Sequence, residues 1–298
     1  MAVLSDIYAG PVVDTHFHVY DRASVPYEGL LGAKVMDADF APADYRKAMA
    51  DVDVRAGVVL NVIDRDFGFA ECEYVAGIAA HEPLIATYTA FCPVAADGSM
   101  AAVDRYGAMP FVSGIRFNQV IAPDGQVPRF DHAVRTLQRL GTHGLRFELS
   151  VREHQHAALA ALARACPDTT FVLGHLGKPK AATGPRPEWE EGIRCVSRQP
   201  NTVCKLTCPV DTEDDPPMTD SFLRPLIRFV IDCFGFDRVV FGTNFPTCNV
   251  ATSATGWMAF LGRALHDASP GERARLYERN ARTLYSLRAM PNAETKWR

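Results

Sequence analysis

The sequence lacks the features that would place the protein at a membrane or on a nucleic acid. No apolar run approaches the length needed to span a bilayer. The first residues show no charged segment followed by an apolar one, so we expect no signal peptide. Basic residues are not in excess, since 31 Lys and Arg stand against 35 Asp and Glu for a net charge of −4. Nucleic acids and membranes are therefore not expected as partners.

The sequence also lacks any Cys-x-x-Cys pair. Its eight cysteines are scattered, mostly within apolar stretches. In a chain of 298 residues this pattern indicates buried thiols rather than a disulfide framework. Because free thiols persist in reducing compartments, we expect a cytoplasmic location.

What the sequence does contain is a series of eight short apolar runs that are typical of β-strands, separated mostly by amphipathic segments. The runs cover residues 12–19, 56–62, 85–91, 114–118, 145–150, 171–176, 202–208 and 239–245. Strands that alternate with helices predict parallel βαβ units, and eight of them in about 250 residues is the count of a (β/α)8 TIM barrel. An open doubly wound sheet is the alternative, although no Gly-x-Gly-x-x-Gly follows an early strand. No linker-like segment divides the chain, so we expect one domain over residues 1–298.

Three long polar segments follow predicted strands, at residues 20–40, 178–187 and 211–217. In a barrel, the segments that follow strands form the rim of the active site. We therefore expect these three to be functional loops.

The first predicted strand ends in the sequence Val-Val-Asp-Thr-His-Phe-His. Residues i and i+2 of a strand point to the same side, so His16 and His18 are expected to face one ion or one substrate group together. Imidazole suits Zn, Mn, Fe or Ni. The alternative is a pair of strand histidines of which one is merely hydrogen-bonded.

Polar side chains recur at the carboxyl ends of the other runs, where a barrel would bring them to one mouth. These residues are Arg116, Asn118, Glu148, Ser150, His175, Lys178, Lys205, Thr207 and Asn244.

Five motifs in this order resemble the amidohydrolase superfamily. They are Val-Asp-Thr-His-Phe-His at 13–18, Gly-Ile-Arg-Phe-Asn at 114–118, Gly-His-Leu-Gly-Lys-Pro at 174–179, Phe-Gly-Thr-Asn-Phe-Pro at 241–246 and Asn-Ala-Arg-Thr-Leu-Tyr at 280–285. The branch that they resemble is the amidohydrolase 2 group of lactonases, which includes 2-pyrone-4,6-dicarboxylate lactonase, L-fuconolactonase, L-rhamnonolactonase and 4-sulfomuconolactone hydrolase. The resemblance extends over nearly the whole chain and implies the barrel fold, but it does not fix the substrate.

The resemblance implies roles for the matching residues. His16, His18 and His175 match histidines that bind a divalent metal, zinc if one is present, or the substrate itself in members that use no metal. Arg116 matches a substrate-contacting arginine whose fork suits a carboxylate. Three further residues are placed with the substrate: Asn118, Lys178 and Lys205. For Lys205, an ion pair that ties down the seventh strand is the alternative.

Asn244 departs from the family pattern, which has Asp as the eighth-strand ligand and general base. An amide has no useful pKa and cannot take a proton from water. Whether this Asn is natural or an inactivating replacement stays open. Glu148 is the expected substitute base provided that its side chain, rather than that of Phe147, points inward, and His175 is the second candidate.

We therefore expect an enzyme that opens a small carboxylated or sugar lactone by attack of water on a carbonyl that is polarised by His16, His18 and His175, directly or through a metal. The alternatives are a metal-dependent decarboxylase of the same superfamily and a barrel that binds a ligand without catalysis. The expected partner is a small, anionic molecule, and a homo-oligomer is left open.

Overall fold

The computed structural model describes residues 8–24, 35–62, 65–180, 186–210 and 219–287. Eight parallel strands form one sheet in which each strand pairs with the next along the chain. The strands are β1 (Val12–Phe17), β2 (Val54–Leu60), β3 (Ile85–Phe91), β4 (Val112–Arg116), β5 (Arg146–Leu149), β6 (Phe171–Leu173), β7 (Thr202–Leu206) and β8 (Val239–Phe241). The helices are α1 (Pro42–Ala48), α2 (Phe69–Ala79), α3 (Ser99–Gly107), α4 (Phe130–Thr142), α5 (His156–Ala165), α6 (Pro187–Ser197), α7 (Asp220–Phe234), α8 (Ala254–Ala264), α9 (Pro270–Ala274) and α10 (Asn280–Leu284).

The sheet closes between its first and last strands. Phe17 and Phe245 form a parallel bridge, and the amide of His18 donates to the carbonyl of Phe245 at 2.8 Å. The amide of Asn244 donates to the carbonyl of His16 at the same distance. The predicted (β/α)8 TIM barrel is thereby confirmed, and the doubly wound sheet is wrong.

The strands lie where the sequence predicts them, but seven of the eight end one to four residues before the predicted carboxyl end, and β3 alone ends as predicted. β6 ends at Leu173 and β8 at Phe241, so His175 and Asn244 lie in the turns that follow rather than in the strands. The predicted loop at 211–217 lies outside the described residues, as do parts of the loops at 20–40 and 178–187.

The barrel interior contains a polar layer that we call the floor network, made of Thr89, Glu148, Lys205 and Tyr285. The first three come from the alternate strands β3, β5 and β7, which is how side-chain layers in such barrels are built. The carboxylate of Glu148 lies 2.6 Å from the ammonium of Lys205 and accepts from Thr89 at 3.0 Å and from Tyr285 at 2.7 Å. The Lys205 ammonium also donates to the carbonyl of Thr15 in β1.

Tyr285 is the member of the floor network that does not come from a strand. Tyr285 comes directly after α10 and packs with Val58 and Leu60 of β2. Apolar side chains on the outer side of the strands, such as Ile115 and Phe147, belong to the main core shared with the helices. Phe147 therefore points outward and Glu148 inward, as the period of two in a strand requires.

The eight cysteines are all free thiols, and six of them are buried. No helix in the described part of the chain is long and apolar enough to cross a membrane.

Candidate active site

A cavity of about 220 Å³ opens at the carboxyl ends of the strands. Its walls combine imidazole, amide, cationic and apolar side chains. They are His18, Met36, Asn61, Val62, Arg116, Asn118, His175, Lys178, Val210, Asn244 and Thr247. Among the described residues that line it, none is Asp or Glu, so the cavity is suited to an anion.

His18 and His175 each have a backbone carbonyl beside the ring nitrogen Nδ1. His18 Nδ1 lies 3.0 Å from the carbonyl of Leu60, and His175 Nδ1 lies 3.2 Å from that of Cys208. A carbonyl can only accept, so Nδ1 of His18 carries the hydrogen and its Nε2 is an unprotonated acceptor. Nδ1 of His175 also lies 3.0 Å from the hydroxyl of Thr207, which can donate or accept. With the hydrogen on Nδ1 and donated to Cys208, Nε2 of His175 is likewise an acceptor. Burial, reinforced by the charge of Arg116, lowers the pKa of His18 to about 3. Burial, reinforced by the charges of Lys178 and Arg116, holds the pKa of His175 well below its usual value.

His16 lies beneath the other two histidines and is almost fully buried. Its ring centre is 5.2 Å from that of His18 and 4.6 Å from that of His175. Neither of its ring nitrogens has a hydrogen-bond partner among the described residues, which is uncommon for buried polar atoms. Burial and the neighbouring His175 and Lys205 depress its pKa as well, so this imidazole is neutral.

Residues 175–178 all have a left-handed backbone conformation, and this turn places the side chains of His175 and Lys178 at the cavity. The φ angles are 52° at His175, 52° at Leu176, 68° at Gly177 and 45° at Lys178. Glycine adopts this conformation freely, but each side-chain-bearing residue pays about 1–2 kcal/mol for it. The turn is therefore strained, and the surrounding structure must hold it.

Asn244 also has a left-handed backbone, with φ 63°. Its amide nitrogen donates to the carbonyl of Cys208 at 3.2 Å, the same carbonyl that accepts from His175. A carboxylate in this place would have no hydrogen to donate to that carbonyl. The surroundings of Asn244 are thus complementary to an amide.

Asp14 connects β1, which carries His16, to the turn after β8, which carries Asn244. Its carboxylate accepts from the amides of His16 and Thr243, each at 3.0 Å, and from the hydroxyls of Thr243 and Tyr45 at 2.6 and 2.8 Å. Burial raises the pKa of Asp14, and these donors oppose that shift. The residue is fully buried and holds β1 against the turn after β8.

Arg116 and Lys178 are the cations of the cavity wall. Arg116 ends β4 and donates to the carbonyl of Asn61 at 3.2 Å. Asn118 accepts the amide of Ser150 through its side-chain oxygen at 2.8 Å, which leaves its amide hydrogens as donors on the cavity side. All three were predicted as substrate-binding residues, and the structure brings all three to the same cavity.

Two predicted site residues lie elsewhere. Glu148 does point inward, as the base hypothesis required, but both of its carboxylate oxygens are engaged within the floor network. Lys205 is fully buried against Glu148 and Thr15. Neither lines the cavity, so the structure favours the ion-pair alternative for Lys205 and argues against Glu148 as the base, because a base must reach the water it deprotonates.

The three histidines were also predicted as metal ligands. The bare ring nitrogens of His16 are compatible with a ligand, and backbone carbonyls orient the other two imidazoles as in many metal sites. In the described part of the chain, however, no three His, Cys, Asp or Glu side chains are arranged to hold a metal ion. The nearby charges are also cationic, which disfavours a dication. The described residues do not by themselves form a metal-binding cluster, and the metal site stays a prediction.

Sequence reasoning missed several residues of the site. Asn61 follows β2 directly and lines the cavity, so a search for polar residues after every strand would have found it. The role of Asp14 depends on a contact between residues more than two hundred positions apart, which no local pattern reveals.

Comparisons with known proteins agree with this geometry. A sequence model of the family described as Amidohydrolase matches residues 13–287. The L-fucono-1,5-lactonase of Burkholderia ambifaria is 26% identical over 285 residues, which cover 92% of this chain and 95% of that protein. An amidohydrolase from Burkholderia multivorans, solved with bound zinc, has a TM-score of 0.80 at 23% identity and covers 94% of this chain and 100% of its own. A putative 2-pyrone-4,6-dicarboxylic acid hydrolase from Pseudomonas putida has a TM-score of 0.69 at 18% identity, with coverages of 92% and 97%. These two structural likenesses show the fold.

Proposed function

Because the chain belongs to the amidohydrolase family, we propose that this hydrolase opens a small lactone that carries a carboxylate, with His175 as the general base. The observation that carries the proposal is a neutral His175, with Nδ1 against the Cys208 carbonyl, in a cavity lined by Arg116 and Lys178 and by no described carboxylate. In this proposal the hydrogen lies on Nδ1, so that Nε2 accepts a proton. The relative named as an L-fucono-1,5-lactonase supports a lactone as the substrate. Between a sugar lactone and a carboxylated one, the two cations favour the carboxylated one.

The reaction follows from the protonation state of the imidazole. His175 Nε2 accepts a proton from water while the water oxygen bonds to the lactone carbonyl carbon, and the carbonyl oxygen becomes an oxyanion. When this intermediate collapses, the ring C–O bond breaks and the imidazolium returns the proton to the leaving oxygen. The products are a hydroxyl or enol group and a new carboxylic acid, which loses its proton to the solvent and becomes a second carboxylate. General acid–base help of this kind contributes about 10²–10⁴-fold.

The remaining cavity residues bind and orient. Arg116 pairs with the substrate carboxylate, while Lys178 stabilises the oxyanion that develops near His175. The neutral His18 accepts hydrogen bonds through Nε2 and does not polarise a carbonyl, because its only ring hydrogen is used by Leu60. This replaces the expectation that all three histidines polarise the carbonyl directly.

The test is an assay of the purified protein against matched lactones with and without a carboxylate. We expect hydrolysis of carboxylated lactones and little of the neutral ones. His175→Gln is expected to lower kcat about 10²–10⁴-fold. Arg116→Gln is expected to lower kcat/KM about 10–100-fold for carboxylated lactones only, because one charge-assisted hydrogen bond is lost.

Three results would contradict the proposal. Release of carbon dioxide without lactone opening would indicate a decarboxylase. Binding of carboxylated lactones without turnover would indicate a binding barrel. An absolute dependence of activity on a bound divalent metal would move the base role from His175 to a metal-bound water.

A further inference from the structure

Two carbonyls of the left-handed turn from His175 to Lys178, those of Leu176 and Gly177, are not bonded within the turn. Its internal hydrogen bonds run from the amide of Gly177 to the carbonyl of Gly174 at 3.0 Å and from Lys178 to His175 at 2.8 Å. These two bonds close the turn but leave the carbonyls of Leu176 and Gly177 to be satisfied from outside.

Two side chains from two different helices bind these carbonyls. Trp189 of α6 donates its indole N–H to Leu176 at 3.0 Å. His156, the first residue of α5, contacts the carbonyl of Gly177 through Nε2 at 3.1 Å. Because a carbonyl only accepts, His156 carries its hydrogen on Nε2.

The packing around these donors leaves each of them little freedom. Trp189 is 1% exposed and His156 is fully buried. A Cβ atom on Gly192 would come within 2.2 Å of the His156 ring, so only glycine fits at that position of α6. A Cβ atom on Gly177 would meet the same imidazole at 3.0 Å. The imidazole thus fills the space between α6 and the turn.

We propose that Trp189 and His156 form a clasp, a pair of positioning residues that hold the left-handed turn and thereby set the direction of His175 and Lys178. The catalytic consequence of the clasp rests on the function proposed for those two residues. The holding of the turn by Trp189 and His156 does not depend on that function.

Trp257 provides a matched control. It is also a buried tryptophan, on α8, and it donates its indole N–H to the carbonyl of Leu206 at 3.1 Å. Leu206 ends the regular strand β7 rather than a strained turn. Trp189→Phe and Trp257→Phe therefore remove the same hydrogen bond and the same ring volume, and a similar loss of thermal stability is expected from both.

The first measurement is hydrogen exchange of the amides at residues 174–178 in the intact protein without ligand. We expect Trp189→Phe and His156→Leu to accelerate this exchange about tenfold, since each removes one buried hydrogen bond. His156→Gln keeps an N–H donor and is expected to restore much of the protection. Trp257→Phe should leave the turn protected. Equal acceleration in both tryptophan variants, or none in either, would overturn the clasp.

The second measurement is steady-state kinetics on a carboxylated lactone. Trp189→Phe is expected to lower kcat and raise KM together, with a combined loss in kcat/KM of about tenfold, because base and cation move as one unit. Trp257→Phe should change neither constant more than about twofold. Faster exchange with unchanged kinetics would make the clasp purely structural and refute the positioning role. If the unmodified protein hydrolyses no lactone, the proposed function fails while the exchange experiment still decides whether the clasp exists.

Discussion

The floor network and the cavity histidines are two sets of buried titratable groups in the same barrel. The cost of burying them is reduced in opposite ways. In the floor network, Glu148 and Lys205 lie 2.6 Å apart as an ion pair, and two hydroxyls complete the coordination of the carboxylate. Around the cavity, burial lowers the histidine pKa values so far that the rings are neutral. A charge is compensated in the first region and avoided in the second.

This difference shows why position at a strand end does not by itself assign a role. A paired and saturated charge stabilises the barrel, because it has no atom left for a substrate. A neutral imidazole with one bound and one bare nitrogen still has an acceptor for a hydrogen of water or of a substrate. Whether a buried titratable residue stabilises the barrel or takes part in the reaction therefore depends on its hydrogen-bond and charge partners rather than on its residue type.

The first prediction tests the ion pair of the floor network with the variant Glu148→Gln. The amide keeps the shape of the side chain but leaves the Lys205 ammonium buried without a counter-charge. We expect a loss of about 3–5 kcal/mol in the free energy of unfolding, measured by urea denaturation.

Two further variants control this prediction. Arg116→Gln removes a partly exposed cavity cation and is expected to change stability by less than about 0.5 kcal/mol. Glu148→Gln combined with Lys205→Met should regain much of the loss, because no lone charge remains. A Glu148→Gln protein as stable as the parent would mean that the floor pair contributes nothing.

The second prediction concerns the pH dependence of stability. It tests at His156 whether a buried histidine of this barrel is neutral in the folded protein. Burial lowers the pKa of His156 to about 4, whereas the histidine of an unfolded chain has its ordinary pKa of 6.5. The unfolded chain therefore binds an extra proton between these values, so stability is full above the unfolded pKa and falls as the pH decreases. The slope is about 1.4 kcal/mol per pH unit for this one histidine.

Unfolding free energies of the parent and His156→Gln at several pH values between about 4.5 and 7.5 check this slope. As the pH falls, the unfolding free energy of His156→Gln should decrease less steeply than that of the parent. The difference in slope should be the contribution of one bound proton. Parallel curves would mean that His156 is charged in the folded protein.

The third and smallest effect is expected from Asn244→Asp. This change removes the hydrogen bond to Cys208 and adds a negative charge to a cavity that binds anions. We expect kcat/KM for a carboxylated lactone to fall about tenfold. Asn118→Asp is the matched control, because it adds the same charge yet keeps the acceptor for Ser150. An increase in activity for Asn244→Asp would instead mark Asn244 as the feature that weakens this enzyme.

Much of the fold could be predicted from the sequence, since alternating strand and helix patterns have a local physical cause. The gathering of His18, His175 and Arg116 at one mouth followed from the barrel, because all parallel strands end on the same side. The inward direction of Glu148 could not be read from the sequence, and neither could its pairing with Lys205. Both depend on which residues face each other across strands, and the left-handed path through Leu176 depends on donors from distant helices.

Tyr285 has a consequence for the order in which the barrel is completed during synthesis. It emerges from the ribosome after all eight strands, yet its hydroxyl is one of the groups that satisfy Glu148 inside the barrel. Until that tyrosine is available, a nascent barrel holds a buried carboxylate with one donor missing and a gap beside Val58 and Leu60. The interior is therefore finished by the last part of the described chain to be made, and a ribosome-stalled fragment that ends before residue 285 cannot reach the stability of the whole.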